Sequence, residues 1–123
     1  MGESAKINKR ELGNAYEEKA AQHMQEEGMH ILKRNYRCRS GEIDIIGRDG
    51  EYLVFTEVKY RRAGSPYEAL ESVGFKKQRR ISRAAAWYMA ESGLPAETPV
   101  RFDVAAFDGE ELFYLRNAFE YCR

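Results

Sequence analysis

The stretch GEIDIIGRDGEYLVFTEVKYRR, residues 41–62, constrains the fold most, because it sets charged groups among apolar residues. Asp49-Gly50 separates two runs rich in β-branched and aromatic residues, and this dipeptide is typical of a tight hairpin turn. Three charged side chains, Asp44, Glu57 and Lys59, fall inside this otherwise apolar hairpin. Charges in a core strand are costly, so they indicate either that the strand is exposed or that they have a chemical role.

Strand alternation assigns faces to the hairpin residues. One face of the second strand is predicted to carry Leu53, Phe55, Glu57 and Lys59, and the other Tyr52, Val54, Thr56 and Val58. On the first strand, Glu42, Asp44 and Ile46 share a face, with Ile43 and Ile45 opposite. Both strands are apolar on both faces, which is typical of central strands covered on each side. Glu57 and Lys59 then stand at the end of a buried strand, about 6.5 Å apart.

Two buried carboxylates close together are unfavourable unless a cation lies between them. Mg²⁺ suits such a place, because it takes one or two carboxylates, a carbonyl, and water or phosphate oxygens. A lysine two residues on can hold the attacking water or neutralise charge on a phosphate. The alternative is that Glu57 and Lys59 form an ordinary cross-strand ion pair, or face solvent on an edge strand.

The remaining patterns predict an α/β domain. A helix over about 9–27 begins with Asn8 as its cap and ends at Gly28, and a second helix covers about 75–91. Asp108-Gly109 indicates a second hairpin near the C-terminus. The order is α-β-β-β-α-β-β, a mixed β-sheet of about five strands covered by helices, with residues 1–123 as one domain.

Composition excludes several classes of protein. No apolar run approaches the roughly 18 residues that a membrane span needs, so no membrane partner is expected. The N-terminal segment lacks the apolar core of a secretory signal, which favours the cytoplasm. Cys38 and Cys122 are then expected to be free thiols. A zinc site from His23, His30 and Cys38 matches no established ligand spacing.

Charge is unevenly distributed although the net charge is zero. Residues 31–83 contain 13 Lys and Arg against 7 Asp and Glu, a net of +6. This basic middle is compatible with a localised anionic partner such as nucleic acid, and equally with ordinary solvated surface.

The spacing of the acidic and basic residues resembles a known nuclease signature. Asp44 followed thirteen positions later by Glu57-Val58-Lys59 resembles the PD-(D/E)xK motif of the restriction-endonuclease-like superfamily. The wider pattern resembles the YraN-like family of small bacterial proteins, whose function is poorly defined. The matching segments are LGNAYEEKA, ILKRNYRCRSGEIDIIG, LVFTEVKYRR, KKQRRISRAAAWY, RFDVAAF and NAF, which together cover nearly the whole chain.

The resemblance implies a restriction-endonuclease-like core and roles for individual residues. Asp44 and Glu57 would be the catalytic, metal-binding carboxylates, the Val58 carbonyl a further ligand of Mg²⁺ or Mn²⁺, and Lys59 the catalytic lysine. Glu17 matches the acidic residue that such folds carry on the first helix; the alternative is an ordinary solvated glutamate.

The chain departs from the family pattern at two positions. Ile43 replaces the Pro of the superfamily motif. Tyr16 stands where the family usually has Gly, which is expected to narrow access to Glu17.

Basic residues flank the expected site. Lys77 and Gln78 are predicted to face it and to contact phosphate or water at the metal, and Arg61 and Arg62 to form a rim along a phosphate backbone. The alternative is a solvated basic face. Asp103 is expected to pair with Arg101 in a structural role, an additional metal ligand being the alternative.

The sequence thus predicts a metal-dependent endonuclease acting on nucleic acid, with DNA expected ahead of RNA. By analogy with junction-resolving enzymes of the superfamily, the resemblance implies a homodimer. The alternatives are a nucleic-acid-binding module that has lost turnover, and a regulatory or assembly partner of DNA-processing machinery.

Overall fold

The computed structural model describes residues 9–61 and 73–122. It contains two helices, α1 (Lys9–Glu26) and α2 (Phe75–Glu91), and five strands: β1 (His30–Cys38), β2 (Gly41–Asp49), β3 (Tyr52–Arg61), β4 (Val100–Asp108) and β5 (Glu111–Phe119). The predicted element order α-β-β-β-α-β-β is confirmed, and both helices lie within one residue of their predicted bounds. Asn8, the predicted cap of α1, lies outside the described residues.

The five strands form one mixed sheet in the order β1-β2-β3-β4-β5. Strands β3 and β4 pair in parallel, and the other three neighbouring pairs are antiparallel. Parallel neighbours need a long crossover connection, and α2 lies in that crossover. In the order β1-β2-β3-β4-β5, strand β3 is the middle strand of the sheet, as its apolar residues on both faces predicted.

Each face of the sheet packs against one helix. On one face, Leu53 and Phe55 of β3 belong to a buried cluster with Ile81 and Ala85 of α2. On the other, Val54 belongs to a cluster with helix α1. Alternate residues of β3 are thus buried on opposite sides, and the predicted face assignment of this strand is confirmed.

Gly47 of β2 marks the close approach of α1 to the sheet. A Cβ atom at this position would lie 3.1 Å from the His30 carbonyl oxygen and 3.1 Å from Cε of Met24. The backbone oxygen has little freedom to move, so a larger side chain would push the helix or the neighbouring strand away.

The alternation of β2 breaks at Asp44, which corrects the sequence prediction for this strand. Ile43 packs in the α2-side cluster together with Ile46, whereas Ile45 packs in the α1-side cluster. The pairing of β2 with β3 runs from Asp49 only as far as Ile45. Pairing with β1 continues to Gly41, but Asn35, which lies opposite Asp44 on β1, has φ +53°. The change of face at Ile43 therefore coincides with the end of the β3 pairing and with this irregular residue of β1.

Three smaller features concern the turns, the cysteines and the helices. Gly50 and Gly109 both have φ near +62° in the two hairpin turns, which a side chain would disfavour. Cys38 and Cys122 are free. Within residues 9–61 and 73–122, neither helix has the length and apolar content needed to cross a membrane.

Candidate active site

A cleft of about 360 Å³ opens at the C-terminal end of β3. Its charged lining comes from four elements, with acidic Glu17, Asp44 and Glu57 and basic Lys59 and Lys77. Gly13 of α1, Val58 and Tyr60 complete the lining. Six of the residues predicted from sequence, Glu17, Asp44, Glu57, Val58, Lys59 and Lys77, are therefore brought together.

Asp44 is held in place by the backbone of the neighbouring strand. The Val58 N–H donates a hydrogen bond to Oδ2 of Asp44, with nitrogen and oxygen 2.8 Å apart. If the antiparallel register continued, Val58 would face Ile43, so the carboxylate receives an N–H that a strand carbonyl would otherwise take. The Asp44 carboxylate therefore takes the place of a strand carbonyl at the point where the pairing of β2 with β3 ends.

Glu57 lies at the bottom of the cleft and is only 6% exposed. Its Oε2 is 2.5 Å from Nζ of Lys77 and 3.4 Å from Nζ of Lys59. A buried carboxylate needs compensating charge, and here two lysines from different elements supply it. Glu57 and Lys59 do form an ion pair, but inside the cleft rather than on an exposed edge strand.

Glu57 stands close enough to Asp44 to affect the ionisation of the Asp44 carboxyl group. Burial raises the pKa of Asp44 to about 8, and the negative charge of Glu57 adds to the shift. The hydrogen bond from Val58 acts in the opposite direction but is outweighed. A proton or a cation between the two carboxyl groups relieves this repulsion.

The pKa values of the two lysines shift in opposite directions. Burial lowers the pKa of Lys59, and the neighbouring Lys77 lowers it further. Burial also acts to lower the pKa of Lys77, but the ion pair with Glu57 outweighs it and raises that pKa overall. Lys77 is therefore the persistent ammonium, and Lys59 gives up its proton more readily than an ordinary lysine.

Glu17 is not a solvated glutamate, since its side chain is 13% exposed, whereas that of Glu18 is 55% exposed. Its Oε1 is buried without a hydrogen-bond partner, and the nearest cation, Nη2 of Arg34, lies 4.0 Å away. Burial, only partly offset by Arg34 and by a hydrogen bond from Asn35, raises the pKa of Glu17.

The described residues contain no group of three His, Cys, Asp or Glu side chains that would form a complete metal cage. Any cation in the cleft would thus take its remaining ligands from backbone, water or substrate. Mg²⁺ commonly binds in this way, keeping several waters and only one or two carboxylates.

Two further clefts adjoin the first. One, of about 220 Å³, shares Asp44, Glu57 and Lys77 with it and extends past Arg80. The other, of about 520 Å³, shares Gly13 and Glu17 with it and is also lined by Arg10 and Asn14 of α1, Asn35 and Arg37 of β1, and Glu42 of β2. Asp44 and Glu57 are shared by the first two depressions, and Glu17 by the first and the third, so the site continues into a depression on either side.

Tyr16 does not narrow this cleft as the sequence suggested. Its ring stacks on Tyr60, with ring centroids 4.6 Å apart, and contacts Phe107 at 4.8 Å. It packs against the α1-side cluster and lines none of the three clefts. Tyr60, in contrast, is 37% exposed and forms part of the cleft wall.

Gln78 has a different position from the one predicted. Its Nε2 donates to the Val73 carbonyl oxygen at 2.9 Å, and it lines none of the three clefts. The Gln78 side chain thus bonds the backbone just before α2 instead of facing the carboxylates. The Arg61 side chain and the whole of Arg62 lie outside the described residues.

Arg80 is a cleft residue that the sequence analysis did not single out. It lines the depression next to Lys77, one helical turn away on α2. Residues three apart on a helix lie on the same side, so this spacing from Lys77 was the signal available.

Asp103 belongs to a separate, buried polar cluster. It is fully buried, and its Oδ1 accepts from Nε of Arg101 at 3.0 Å and from the Asn117 N–H at 2.9 Å. Its Oδ2 accepts from Nη2 of Arg101 at 3.0 Å and from the Tyr114 hydroxyl at 2.7 Å. With both oxygens satisfied by protein donors, Asp103 has the structural role expected for it.

Comparison with known proteins identifies relatives along most of the chain. A family model described as "Uncharacterised protein family UPF0102" matches residues 16–107. A UPF0102 protein of Lachnoclostridium phytofermentans is 47% identical over 117 residues, covering 93% of this chain and 97% of the relative. A UPF0102 protein of Alkalilimnicola ehrlichii is 46% identical over 109 residues, covering 89% and 86% of the two chains.

Among solved structures, a repair endonuclease from Pyrococcus abyssi is similar at a low level. The TM-score is 0.43 and the sequence identity 23%, over 85% of this chain and 40% of the endonuclease chain. A likeness at this level carries no argument about activity.

Proposed function

The chain belongs to the uncharacterised protein family UPF0102, and we propose that it is a metal-dependent nuclease that hydrolyses phosphodiester bonds in nucleic acid, with DNA as the expected substrate. The observation that carries this proposal is the joint position of Asp44, Glu57 and Lys59. Two partly or fully buried carboxylates and a lysine line one open cleft at the end of the central strand.

The side chains present suit a small divalent cation such as Mg²⁺ or Mn²⁺. Asp44 and Glu57 would hold it, with the Val58 carbonyl as a further ligand. The mutual repulsion of the two carboxyl groups, which contributes to the raised pKa of Asp44, supports this choice of ligands. Glu17 lies in the wall of the same cleft. The cation would supply Lewis acidity, activating water and neutralising charge on the phosphate.

Lys59 is proposed to hold the attacking water and to take up its proton. Burial and the nearby Lys77 lower the pKa of this amine, which increases its neutral fraction. A base whose pKa approaches the working pH transfers protons most effectively. Lys77 remains an ammonium group and is therefore suited to a phosphate oxygen.

Basic residues line both of the depressions that adjoin the cleft. Arg80 and Lys77 of α2 line one adjoining depression. Arg10 and Arg37 line the other. Nucleic acid lying across the three depressions would meet basic groups on both sides of the carboxylates, which supports a polyanionic substrate.

A cleavage assay tests this proposal. Supercoiled plasmid, single-stranded DNA, branched DNA and RNA are incubated with purified protein and Mg²⁺ or Mn²⁺, with EDTA as the blank. The proposal expects cleavage by the wild type and none by Asp44→Ala or Lys59→Ala. Equal activity in all three proteins would identify a contaminant, and no cleavage by any of them would contradict the proposal.

A nucleic-acid-binding module without turnover is the second candidate. The observation that favours it is the pairing of Glu57 with both Lys59 and Lys77, which neutralises the carboxylate without a metal. This candidate predicts binding that weakens with salt and does not depend on divalent metal. Metal-dependent cleavage lost in Asp44→Ala would exclude it.

A further inference from the structure

Lys77 and Lys59 contact the same oxygen of Glu57 but are attached differently. Lys59 follows Glu57 by two residues on β3, so the strand itself fixes their spacing. Lys77 approaches from α2, and its side chain is 40% exposed against 23% for Lys59. Both lysines have a flexible stem, but Lys77 is more exposed and is carried by a separate element, so it can leave Glu57 without any change in β3.

The Lys77 ammonium group occupies the position beside Glu57 that a metal ion would need. Nζ of Lys77 is 2.5 Å from Oε2 of Glu57, and a Mg²⁺ ion bound to that oxygen would stand at about 2.1 Å. An ammonium group and a divalent cation at such similar distances repel each other and compete for the same lone pairs.

We propose that Lys77 is an internal competitor of the metal at Glu57, displaced when a divalent cation enters and then bound to a phosphate oxygen of the substrate. This inference rests on the proposed nuclease function. Lys77 lines both the main cleft and the depression that it shares with Arg80, so the displaced ammonium stays beside the substrate path.

The exchange links the two binding steps. Without metal, Lys77 neutralises Glu57 and limits the cost of the buried carboxylate. With metal, the same positive charge is released for the phosphate, so an ion pair between Lys77 and Glu57 is replaced by one between Lys77 and the substrate. Removing Lys77 should therefore move the two affinities in opposite directions, tightening metal binding and weakening binding of nucleic acid in the presence of metal.

The test compares Lys77→Met with the matched control Lys76→Met. Lys76 is the preceding residue of α2, is exposed and lines neither of the two clefts that contain Lys77. Mn²⁺ binding to the full chain without nucleic acid is measured by electron paramagnetic resonance. We expect the Mn²⁺ dissociation constant to fall about three- to tenfold in Lys77→Met and to stay unchanged in Lys76→Met.

A second measurement uses labelled DNA with Ca²⁺ in place of Mg²⁺ to prevent turnover. Lys77→Met should bind this DNA several times more weakly than Lys76→Met, although both variants lose one positive charge. Thermal unfolding with and without Mn²⁺ confirms folding, and Mn²⁺ should raise the melting temperature of Lys77→Met more than that of the wild type.

The outcomes separate this inference from the nuclease proposal. If Asp44→Asn abolishes Mn²⁺ binding while Lys77→Met leaves it unchanged or weaker, the proposed competition between Lys77 and the metal is contradicted, and the metal site stands. If the wild type and Lys77→Met both bind no Mn²⁺, the metal site and the competition are contradicted together.

Discussion

Val58 donates its backbone N–H to the Asp44 carboxylate, across 2.8 Å, at the point where the pairing of β2 with β3 stops. This bond fixes an acidic group of one strand beside the acidic group of the next, because Glu57 directly precedes Val58. The geometry of the candidate site therefore depends on a local interruption of the sheet.

Replacing Asp44 with Asn should stabilise the protein in the absence of metal. The amide oxygen can still accept the Val58 N–H, and the amide is neutral without the proton that the buried Asp44 carboxyl group must take up on folding. We expect a gain on the order of 1 kcal/mol in the free energy of unfolding at neutral pH, measured by urea denaturation in EDTA. A variant less stable than the wild type under these conditions would show that the carboxylate is favourably placed without a cation. Cleavage should fall at least about a hundredfold in the same variant.

The stability of the metal-free protein should fall with rising pH because of Asp44. Its pKa is about 8 in the folded protein against 3.8 for an ordinary aspartate. The folded state therefore binds the proton more tightly, and this contribution is complete below the lower pKa and lost as pH rises through the higher one.

Thermal unfolding of the wild type and Asp44→Asn at about pH 6 and about pH 9 measures this effect. The stability advantage of Asp44→Asn should grow with pH in EDTA. Mg²⁺ binds the ionised carboxylate, so it should stabilise the wild type more at the higher pH. A stabilisation by Mg²⁺ that is equal at both values would contradict the assignment of Asp44 as a ligand.

Lys59→Met should reduce turnover without reducing metal binding. The variant removes the proposed proton acceptor but leaves Asp44, Glu57 and the Val58 carbonyl in place. We expect cleavage to fall about 10²- to 10⁴-fold, while the Mn²⁺ dissociation constant is unchanged or lower. Single-turnover kinetics with saturating protein separates the chemical step from binding, and a loss explained wholly by weaker DNA binding would contradict the role.

Asp103→Ala should destabilise the fold and leave the site chemistry intact. It would remove two hydrogen bonds from Arg101 and one each from the Tyr114 hydroxyl and the Asn117 N–H, and leave Arg101 with Asp49 as its remaining acidic partner. Removing one member of a buried charged pair costs about 3–5 kcal/mol, and Asp103→Asn should cost less. Urea denaturation measures the loss. A large change in Mn²⁺ affinity in folded Asp103→Asn would instead favour the metal-ligand alternative.

Much of this architecture follows from the sequence. The period-two pattern of Leu53, Phe55 and Glu57 predicts which face of β3 each residue occupies, because a central strand has no freedom to rotate. The same reasoning failed for Ile43, since the pairing of β2 with β3 ends at Ile45 and Asn35, opposite Asp44 on β1, has φ +53°. A pattern of residue types contains no sign of that interruption.

Contacts between α2 and the sheet were only partly predictable. Helical spacing gives the face of Gln78, but it does not reveal that the Val73 carbonyl is the nearest acceptor. It also does not give the approach of Lys77 to Glu57, which depends on how the helix packs along the strand. Interactions between elements distant in sequence therefore had to come from the structure.

The central claim is that Asp44 and Glu57 hold a divalent cation in the cleft, and a crystal of the protein soaked in Mn²⁺ tests it most directly. An anomalous difference map should show a peak between the two carboxylates, within reach of the Val58 carbonyl oxygen, with the Lys77 ammonium turned away from Glu57. A map without a peak at this place, with Lys77 still bound to Glu57 at saturating Mn²⁺, would contradict the account.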